Sequence, residues 1–370
     1  MKIGIDARLL STKIRGTARY LKNILDYLPE FDHHNKYFVF QYEDIPCNNE
    51  FYQYILIKRS RLPRQIYEHF WLNFILPKII KEFNIDIFFT PYVFVPFKKD
   101  GWKNVIVIHD ALTKVCGQYY SYHYRKYMDL LVPQSIKRSD AIVTVSESAM
   151  RDIIKHFNAP SEKINFLHLW TDKKYKQLTL SLQEKQFLLK KYNIPEDFVL
   201  FVSVLEERKN ISGIIKISDI LLGKGFNTNF VLVGRKGFGF NKIEKELLKR
   251  KDRIYILSDV GDDDLVKIYN IAKVFIFPSF NEGFGLPPLE AMKCGIPVVA
   301  SNNSSMPEVV GEGGLLGDAE DYDFFAENII KLFIDNPFYN LMSEKALHQA
   351  RKFSAEKHLR KLIEIFDNLK

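Results

Sequence analysis

The chain alternates short apolar runs with stretches of helical periodicity, and about halfway along the alternation begins again. Lys2–Asp6, Lys36–Tyr42 and residues 85–90, 105–108 and 141–145 are rich in Ile, Val and Phe and of strand length. Uninterrupted apolar runs of this kind suit strands covered on both faces, as in parallel sheets. Between them, residues 20–28 carry Leu21, Ile24, Leu25 and Leu28 on one helical face. Residues 65–83, interrupted by Pro77, and residues 119–135 also have helical patterns, and Ser146 is a good N-cap for a helix over Glu147–Phe157. The second series has a Leu- and Lys-rich helix over 178–192 and strands over 198–204, 230–233, 253–257, 274–278, Val298–Ser301 and 314–316. Alternating strands and helices predict open parallel α/β sheets. At roughly 150 residues per domain, 370 residues predict two of them. The most polar bridge, 173–182, places the hinge. The expectation is an α/β chain of two Rossmann-like domains, 1–175 and 176–350, with parallel sheets facing across a cleft and a closing helix, 351–370, packed back on the first.

Composition narrows the class. Hydrophobic residues at 46% and charged residues at 26% exclude wholesale disorder. No run reaches the ~18 apolar residues of a membrane span. Asp6 and Arg8 interrupt what would be the apolar core of a secretory signal. Cys47, Cys116 and Cys294 are odd in number and far apart, so neither a disulfide framework nor a zinc site is expected, and a reducing cytoplasm is. The net charge of +8 is concentrated: residues 1–175 hold 26 Lys and Arg against 18 Asp and Glu, whereas the remainder balances at 27 each. A basic first half predicts an anionic partner.

The most specific segment is 281–297, NEGFGLPPLEAMKCGIP, which follows the apolar run VFIFPS. Gly283 and Gly285 free the backbone to approach a ligand, and Phe284 lies between them. Pro287 and Pro288 suit a first helical turn. From Leu286 onward, free amides and the positive end of a helix dipole would make an anion site. Glu282 would sit at the mouth of this loop, and Glu290 about one turn into the helix, beside the same ligand.

This segment resembles the signature of the retaining glycosyltransferases of family 4, which have the two-domain GT-B fold. The resemblance extends to VSVLEERKN (202–210), where Ser203 replaces the usual glycine, and to SSMPEVVGEGGLL (304–316). In the first half it extends to IDARLL (5–10), GTARY (16–20), VIHDAL (107–112) and VSESA (145–149). It implies that Glu282 faces the donor sugar, that Glu290 binds the ribose hydroxyls and that Arg208 and Lys209 grip the donor diphosphate. It also implies that His109 contacts the sugar; Asp110 is given a weaker acceptor-side role. Gly16 would let a loop lie against phosphate, and backbone groups near Ser258 and Val260 would read the base. The charge chemistry agrees: a leaving diphosphate gains negative charge, which Arg208, Lys209 and a helix N-terminus can stabilise.

Asp262, Asp263 and Asp264 precede the apolar pattern 265–272 and are expected to cap a helix there, so no catalytic metal and no other cofactor is expected. Lys58, Arg59, Arg61 and Arg64 cluster, and YYSYHYRKY (119–127) crowds five tyrosines among basic residues. Such groups suit an anionic membrane surface or a lipid-diphosphate acceptor, and equally a solvated basic face. No nucleic-acid module is evident. The expected partners are a nucleoside-diphosphate sugar, with GDP-mannose favoured by resemblance to mannosyltransferases of surface-polysaccharide assembly, and a glycan or lipid-linked glycan acceptor. The expected place is the cytoplasm, peripheral on the inner face of the membrane. A sugar-nucleotide epimerase, a phosphorylase-like enzyme and a non-catalytic binder of anionic polymer remain open at this point.

Overall fold

In the computed structural model the described residues are 1–11, 16–61 and 64–370; the side chains of residues 64–66 are outside the description. The chain divides into two compact units. The first comprises Met1–Ala111, Tyr122–Leu169 and Ala355–Lys370, and the second Leu112–Ser121 and Trp170–Ser354.

The first unit is built on seven strands, β1 (Lys2–Asp6), β2 (Lys36–Tyr42), β3 (Tyr52–Ile57), β4 (Ile87–Thr90), β5 (Lys103–Val107), β6 (Ala141–Thr144) and β7 (Ile164–Phe166). All pair in parallel, in the order β3-β2-β1-β4-β5-β6-β7. The central strands β4 and β6 are buried throughout, in keeping with their continuous apolar runs. The helix Glu147–Phe157 begins as expected, with Ser146 Oγ accepting from the Ala149 amide at 3.0 Å. The pattern over 65–83 resolves into Arg64–Phe70, a wider π-helical turn at Trp71–Ile75, and Leu76–Phe83, with Pro77 in the first turn of the last piece. Pro77 has no N–H to give to the preceding turn, and the helix widens to a π turn immediately before it. Trp71, Leu72 and Leu76 from this stretch pack with Phe38, Phe40 and Phe88 in one apolar core.

The second unit repeats the winding with β8 (Phe198–Val202), β9 (Asn229–Val233), β10 (Ile254–Leu257), β11 (Val274–Phe277), β12 (Val298–Ser301) and β13 (Gly314–Gly317). All are parallel, in the order β10-β9-β8-β11-β12-β13. In both units the winding reverses direction beside the first strand, at β1/β4 and at β8/β11. Ligands of open α/β sheets bind outside the carboxyl ends of the strands at such switch points.

One expectation is corrected here. The helix after β10 runs from Asp262 to Ile271 with Gly261 as N-cap, and it makes no side-chain capping bond. The three aspartates are therefore the first turn itself rather than caps. There they still complement the helix dipole. Asp264 also accepts from Lys191 Nζ at 2.6 Å and Tyr192 Oη at 2.7 Å, and Asp262 from Lys174 Nζ at 3.0 Å.

Asn210 ties the second unit together at its switch point. It sits in the left-handed region at φ 56° and caps the helix Ile211–Gly223 through Oδ1, 2.9 Å from the Gly213 amide. Its Nδ2 donates to the carbonyls of Pro278 and Ala319 at 3.1 and 2.8 Å. Asn210→Ala removes the cap and two buried hydrogen bonds and is expected to cost about 2–4 kcal/mol in urea unfolding. Asn210→Gly is expected to cost less, because glycine accepts the left-handed backbone without strain. A loss below about 0.5 kcal/mol for the alanine variant would contradict this bonding.

Candidate functional site

Two chain segments leave the switch point of the second unit, one after β8 and one after β11. After β8 the chain makes a short 3-10 turn, Glu207–Lys209, that presents Arg208 and Lys209 and ends at the Asn210 cap. After β11 it runs through Ser279 to Glu282 and into the helix Leu286–Lys293. The Phe280 amide donates to the Arg208 carbonyl at 3.0 Å, which fixes the two segments side by side.

This brings Arg208, Lys209 and Glu282 together, all of them buried. Lys209 Nζ donates to Glu282 Oε1, and Arg208 Nη1 lies 3.5 Å from Glu282 Oε2. Ser279 Oγ donates to Glu282 Oε1 at 2.6 Å. Arg208 is shared: Nη2 donates to Glu206 Oε1 at 2.7 Å and Nη1 to the Asn281 carbonyl. Burial opposes ionisation of the Glu282 carboxyl, but the Lys209 and Arg208 charges outweigh it and hold the group below the usual carboxylate range. Burial, with Arg208 adding to it, lowers the Lys209 ammonium despite Glu282. Two cations and one central carboxylate leave one positive charge, offset in part by Glu206 on the far side of Arg208.

The glutamate loop is held by serines that lie within a recognised segment, 304–316, but for which the sequence indicated no role. Ser304 Oγ accepts from the Glu282 amide at 2.9 Å, with Ser304 itself at φ 47°. Ser305 Oγ donates to the Phe284 carbonyl at 2.7 Å and lies 3.1 Å from that of Glu282. Phe284 is a core side chain, set edge-on to Phe353 at 5.7 Å, so only its backbone can face a ligand. Gly283 and Leu286 are half-buried. Gly285 has φ 106°, and a Cβ there would stand 2.3 Å from Met306 Cε, so this position requires glycine.

The expected row of free amides from Leu286 onward is corrected. Pro287 and Pro288 have no N–H, and the Leu289 amide already donates to the Gly285 carbonyl. Of these four residues, the Leu286 amide is the one with no intrahelical use. Glu290 is 2% exposed and accepts from Tyr269 Oη at 2.9 Å. The Tyr269 hydroxyl is pushed well up by burial and by Glu290, so it stays a donor. Glu290 thus lies on a partner of its own, apart from the Lys209–Glu282 pair. Ser258 and Val260 follow β10, Ser258 exposed and Val260 half-buried.

Gly16, His109 and Asp110 lie in the first unit. Gly16 opens the helix Gly16–Tyr27, is exposed, and would have open space for a Cβ among the described residues. Protein packing there does not demand glycine. His109 and Asp110 follow β5 and are half-buried. The His109 ring donates to the Pro91 carbonyl just after β4, and its Nε2 is buried without a partner. Burial lowers the His109 imidazole, and Asp110 only partly offsets this, which favours the neutral ring.

The basic and tyrosine-rich segments also resolve. Arg59 forms a forked pair with Asp44, at 2.7–3.0 Å, and lies over the Tyr42 ring. Lys58 and Arg61 are exposed, while the side chain of Arg64 is outside the described residues. The tyrosine run is divided between the units: Tyr119 stacks on Phe280 in the second, and the helix Tyr122–Arg138 belongs to the first.

Breaking the Lys209–Glu282 pair from one side leaves a buried charge unmatched, which typically costs about 3–5 kcal/mol. Glu282→Gln is therefore expected to lower stability by roughly that amount in denaturant unfolding. Adding Lys209→Met should recover much of the loss, since the pair is then replaced as a unit. Additive losses in the double variant would show that the two groups are not coupled.

The N-terminal half, residues 14–174, matches the model of Glycosyltransferase Family 4, and residues 184–349 match that of Glycosyl transferases group 1. The O-antigen chain mannosyltransferase B of Escherichia coli is 32% identical over 282 residues, covering 75% of this chain and 73% of that protein. The serotype-specific mannosyltransferase WbdA of Escherichia coli is 30% identical over 276 residues, but the match spans 71% of this chain and only 33% of WbdA. Among solved structures, sucrose-phosphate synthase from Thermosynechococcus elongatus superposes with a TM-score of 0.76 at 16% identity, covering 100% of this chain and 98% of that one. Anabaena Alr3699/HepE in complex with UDP-glucose gives a TM-score of 0.71 at 18% identity, covering 100% and 99%. The two doubly wound parallel sheets are thus those of a GT-B glycosyltransferase. This chain belongs to the glycosyltransferases of family 4 and group 1, and it is a transferase.

Proposed function

We propose that this glycosyltransferase moves mannose from GDP-mannose to a hydroxyl of a growing surface glycan, with retention of anomeric configuration and without a metal. The observation that carries the donor assignment is the cluster of Arg208 and Lys209 around Glu282 at the β8/β11 switch point. Two buried cations at a sheet switch point support a diphosphate site there. The sugar is assigned from the relatives, since the mannosyltransferase B match covers most of both chains.

In this reading the donor diphosphate lies against Arg208, Lys209 and the Leu286 amide, and Glu290, oriented by Tyr269, takes the ribose hydroxyls. Ser258 and Val260 border the base through their backbone. The sugar lies by Glu282 and the loop Gly283, Phe284 and Gly285, and the His109 Nε2 lone pair accepts from one of its hydroxyls. Gly16 lets the backbone approach the phosphates, and Asp110 orients the acceptor. The anomeric C–O bond breaks with its electron pair going to the diphosphate. The acceptor oxygen bonds to the anomeric carbon from the same face, and its proton passes to a leaving phosphate oxygen. Glu282 is occupied by Lys209 and Ser279, an arrangement that suits an electrostatic role rather than a nucleophile. The aspartates at 262 and 264 are engaged by Lys174, Lys191 and Tyr192, which supports a reaction without a metal.

A lipid-linked acceptor at an anionic membrane is the second part of the proposal. It is supported by exposed Lys58 and Arg61 and by Phe70 and Phe74, which stack at 5.3 Å with Phe74 61% exposed. Basic and aromatic groups together are the signature of an interfacial surface. The reading concerns a surface only: among the described residues, no helix is long and apolar enough to cross a membrane.

Melting in the presence of GDP, UDP or ADP tests the donor. GDP is expected to stabilise most, by about 2.7 kcal/mol at one hundred times its dissociation constant. GDP-mannose is then expected to yield an α-linked product whose formation survives EDTA. Preference for UDP or ADP would overturn the donor assignment, an inverted product the retention, and loss on chelation with rescue by Mn2+ the metal-free chemistry. For the membrane, binding to phosphatidylglycerol-containing vesicles is expected to weaken with salt, to fall several-fold in Lys58→Gln/Arg61→Gln, and to fall less in Arg59→Gln, whose charge Asp44 already meets. Equal binding to neutral vesicles would refute this part.

A further inference from the structure

His109 is useful to a sugar only if its ring is held in one orientation. One side is fixed by the Pro91 carbonyl. Tyr20 also packs against the imidazole, its ring edge-on to His109 at 5.2 Å with an interplanar angle of 87°. Tyr20 is fully enclosed on the helix Gly16–Tyr27, and its hydroxyl lies 3.2 Å from Nε2 of His358, on the C-terminal helix Ala355–Asp367. His358 is buried too, with its ring edge-on to Tyr20 at 5.5 Å.

The direction of every proton in this chain follows from one atom. His358 Nδ1 lies 3.0 Å from the carbonyl of His168. A carbonyl only accepts, so Nδ1 carries the hydrogen. Burial holds the His358 imidazole down at about 4, which keeps the ring neutral. A neutral ring protonated at Nδ1 has a lone pair at Nε2. Tyr20 must therefore donate, and its hydroxyl is the hydrogen-bearing link. The C-terminal helix that carries His358 is itself locked, with Leu359, Leu362 and Phe366 fully buried. Phe366 stands edge-on to Phe89 at 5.6 Å, on the strand that leads to Pro91.

Resting on the assignment of His109 to the donor sugar, we propose that His358 is a positioning residue for the transferase reaction, acting through Tyr20. It pins the Tyr20 ring against His109 so that the His109 Nε2 lone pair keeps its aim. The last helix of the chain thus reaches a site residue whose position in the sequence is almost 250 residues earlier.

The test separates the two nitrogens of His358. Gln can supply an acceptor in place of Nε2, whereas Asn can supply a donor in place of Nδ1 but reaches no further. GDP-mannose turnover is the readout, followed as GDP release. His358→Asn and Tyr20→Phe are each expected to lower kcat about tenfold with donor KM little changed, and the pair together no more than either alone. His358→Gln is expected to stay within about threefold of the parent. In a His109→Ala background, Tyr20→Phe is expected to cost nothing further. In spectra of 15N-histidine-labelled protein, His358 is expected to remain an Nδ1–H neutral ring at pH 5.5. Equal losses in His358→Asn and His358→Gln, or an undiminished effect of Tyr20→Phe without His109, would overturn the proposal, and so would an Nε2–H tautomer. A His109→Ala variant with parental kcat and KM would instead overturn the sugar assignment on which it rests.

Discussion

The switch point of the second unit is organised around the buried carboxylate of Glu282. Glu282 receives Lys209 and Ser279 on one oxygen and faces Arg208 with the other. Without it, two neighbouring cations would be buried against each other; with it, each charge has a near opposite, and attraction over such short distances is strong where water is scarce. The backbone around the group is arranged to hold it. Ser304 takes the Glu282 amide, Ser305 bonds the Phe284 carbonyl and lies near that of Glu282, and Ser301 Oγ donates to the Ser279 carbonyl at 2.7 Å. Segments following β8, β11 and β12 therefore converge on one ion cluster, and the phosphate chemistry assigned to Arg208 and Lys209 depends on it.

The first unit repeats the winding but builds a different environment at its own switch point. After β1, Arg8 pairs with Asp6 at 2.8 Å and Glu68 at 2.9 Å and lies over the Trp71 ring at 3.6 Å. Its charge is consumed within the protein. Its Nη1 is nevertheless buried without a hydrogen-bond partner, as is the His109 Nε2 after β5. The second sheet thus carries a buried ion cluster at its switch point, whereas the first carries, after β5, an imidazole that burial keeps neutral. The proposed function uses this difference, since a transferase must hold a charged leaving group and an uncharged sugar by different means.

Much of this was legible in the sequence where burial is symmetrical. The central strands of both sheets are continuous apolar runs because both faces are covered, and β2 and β12 begin and end where the pattern says. The strands that the pattern missed, β3 and β7, are the two edges of the first sheet. INF is too short to carry a pattern, whereas YQYILI is apolar at five of its six positions, so β3 carries a strand signal and β7 does not. Arg208, Lys209 and Glu282 were legible as a motif, and the structure brings them together. Ser279, Ser304 and Ser305 were not, since a serine hydroxyl announces nothing until the backbone it bonds is nearby. The aspartates at 262–264 look like caps in the sequence because polarity marks a helix start but not which side of the boundary each residue takes. Tyr20 and His358 are 338 positions apart, a pairing that no local pattern can carry.

In the proposed function Arg208 and Lys209 form the diphosphate site while Glu282 holds them in place. The direct measurement is calorimetric affinity for guanosine, GMP and GDP, in the parent and in Lys209→Met. The parent is expected to bind GDP at least about tenfold more tightly than GMP, a difference of ~1.4 kcal/mol. Lys209→Met is expected to erase most of that preference while leaving guanosine binding unchanged. A variant that keeps the full preference for GDP, or a parent that does not distinguish GDP from GMP, would contradict the claim.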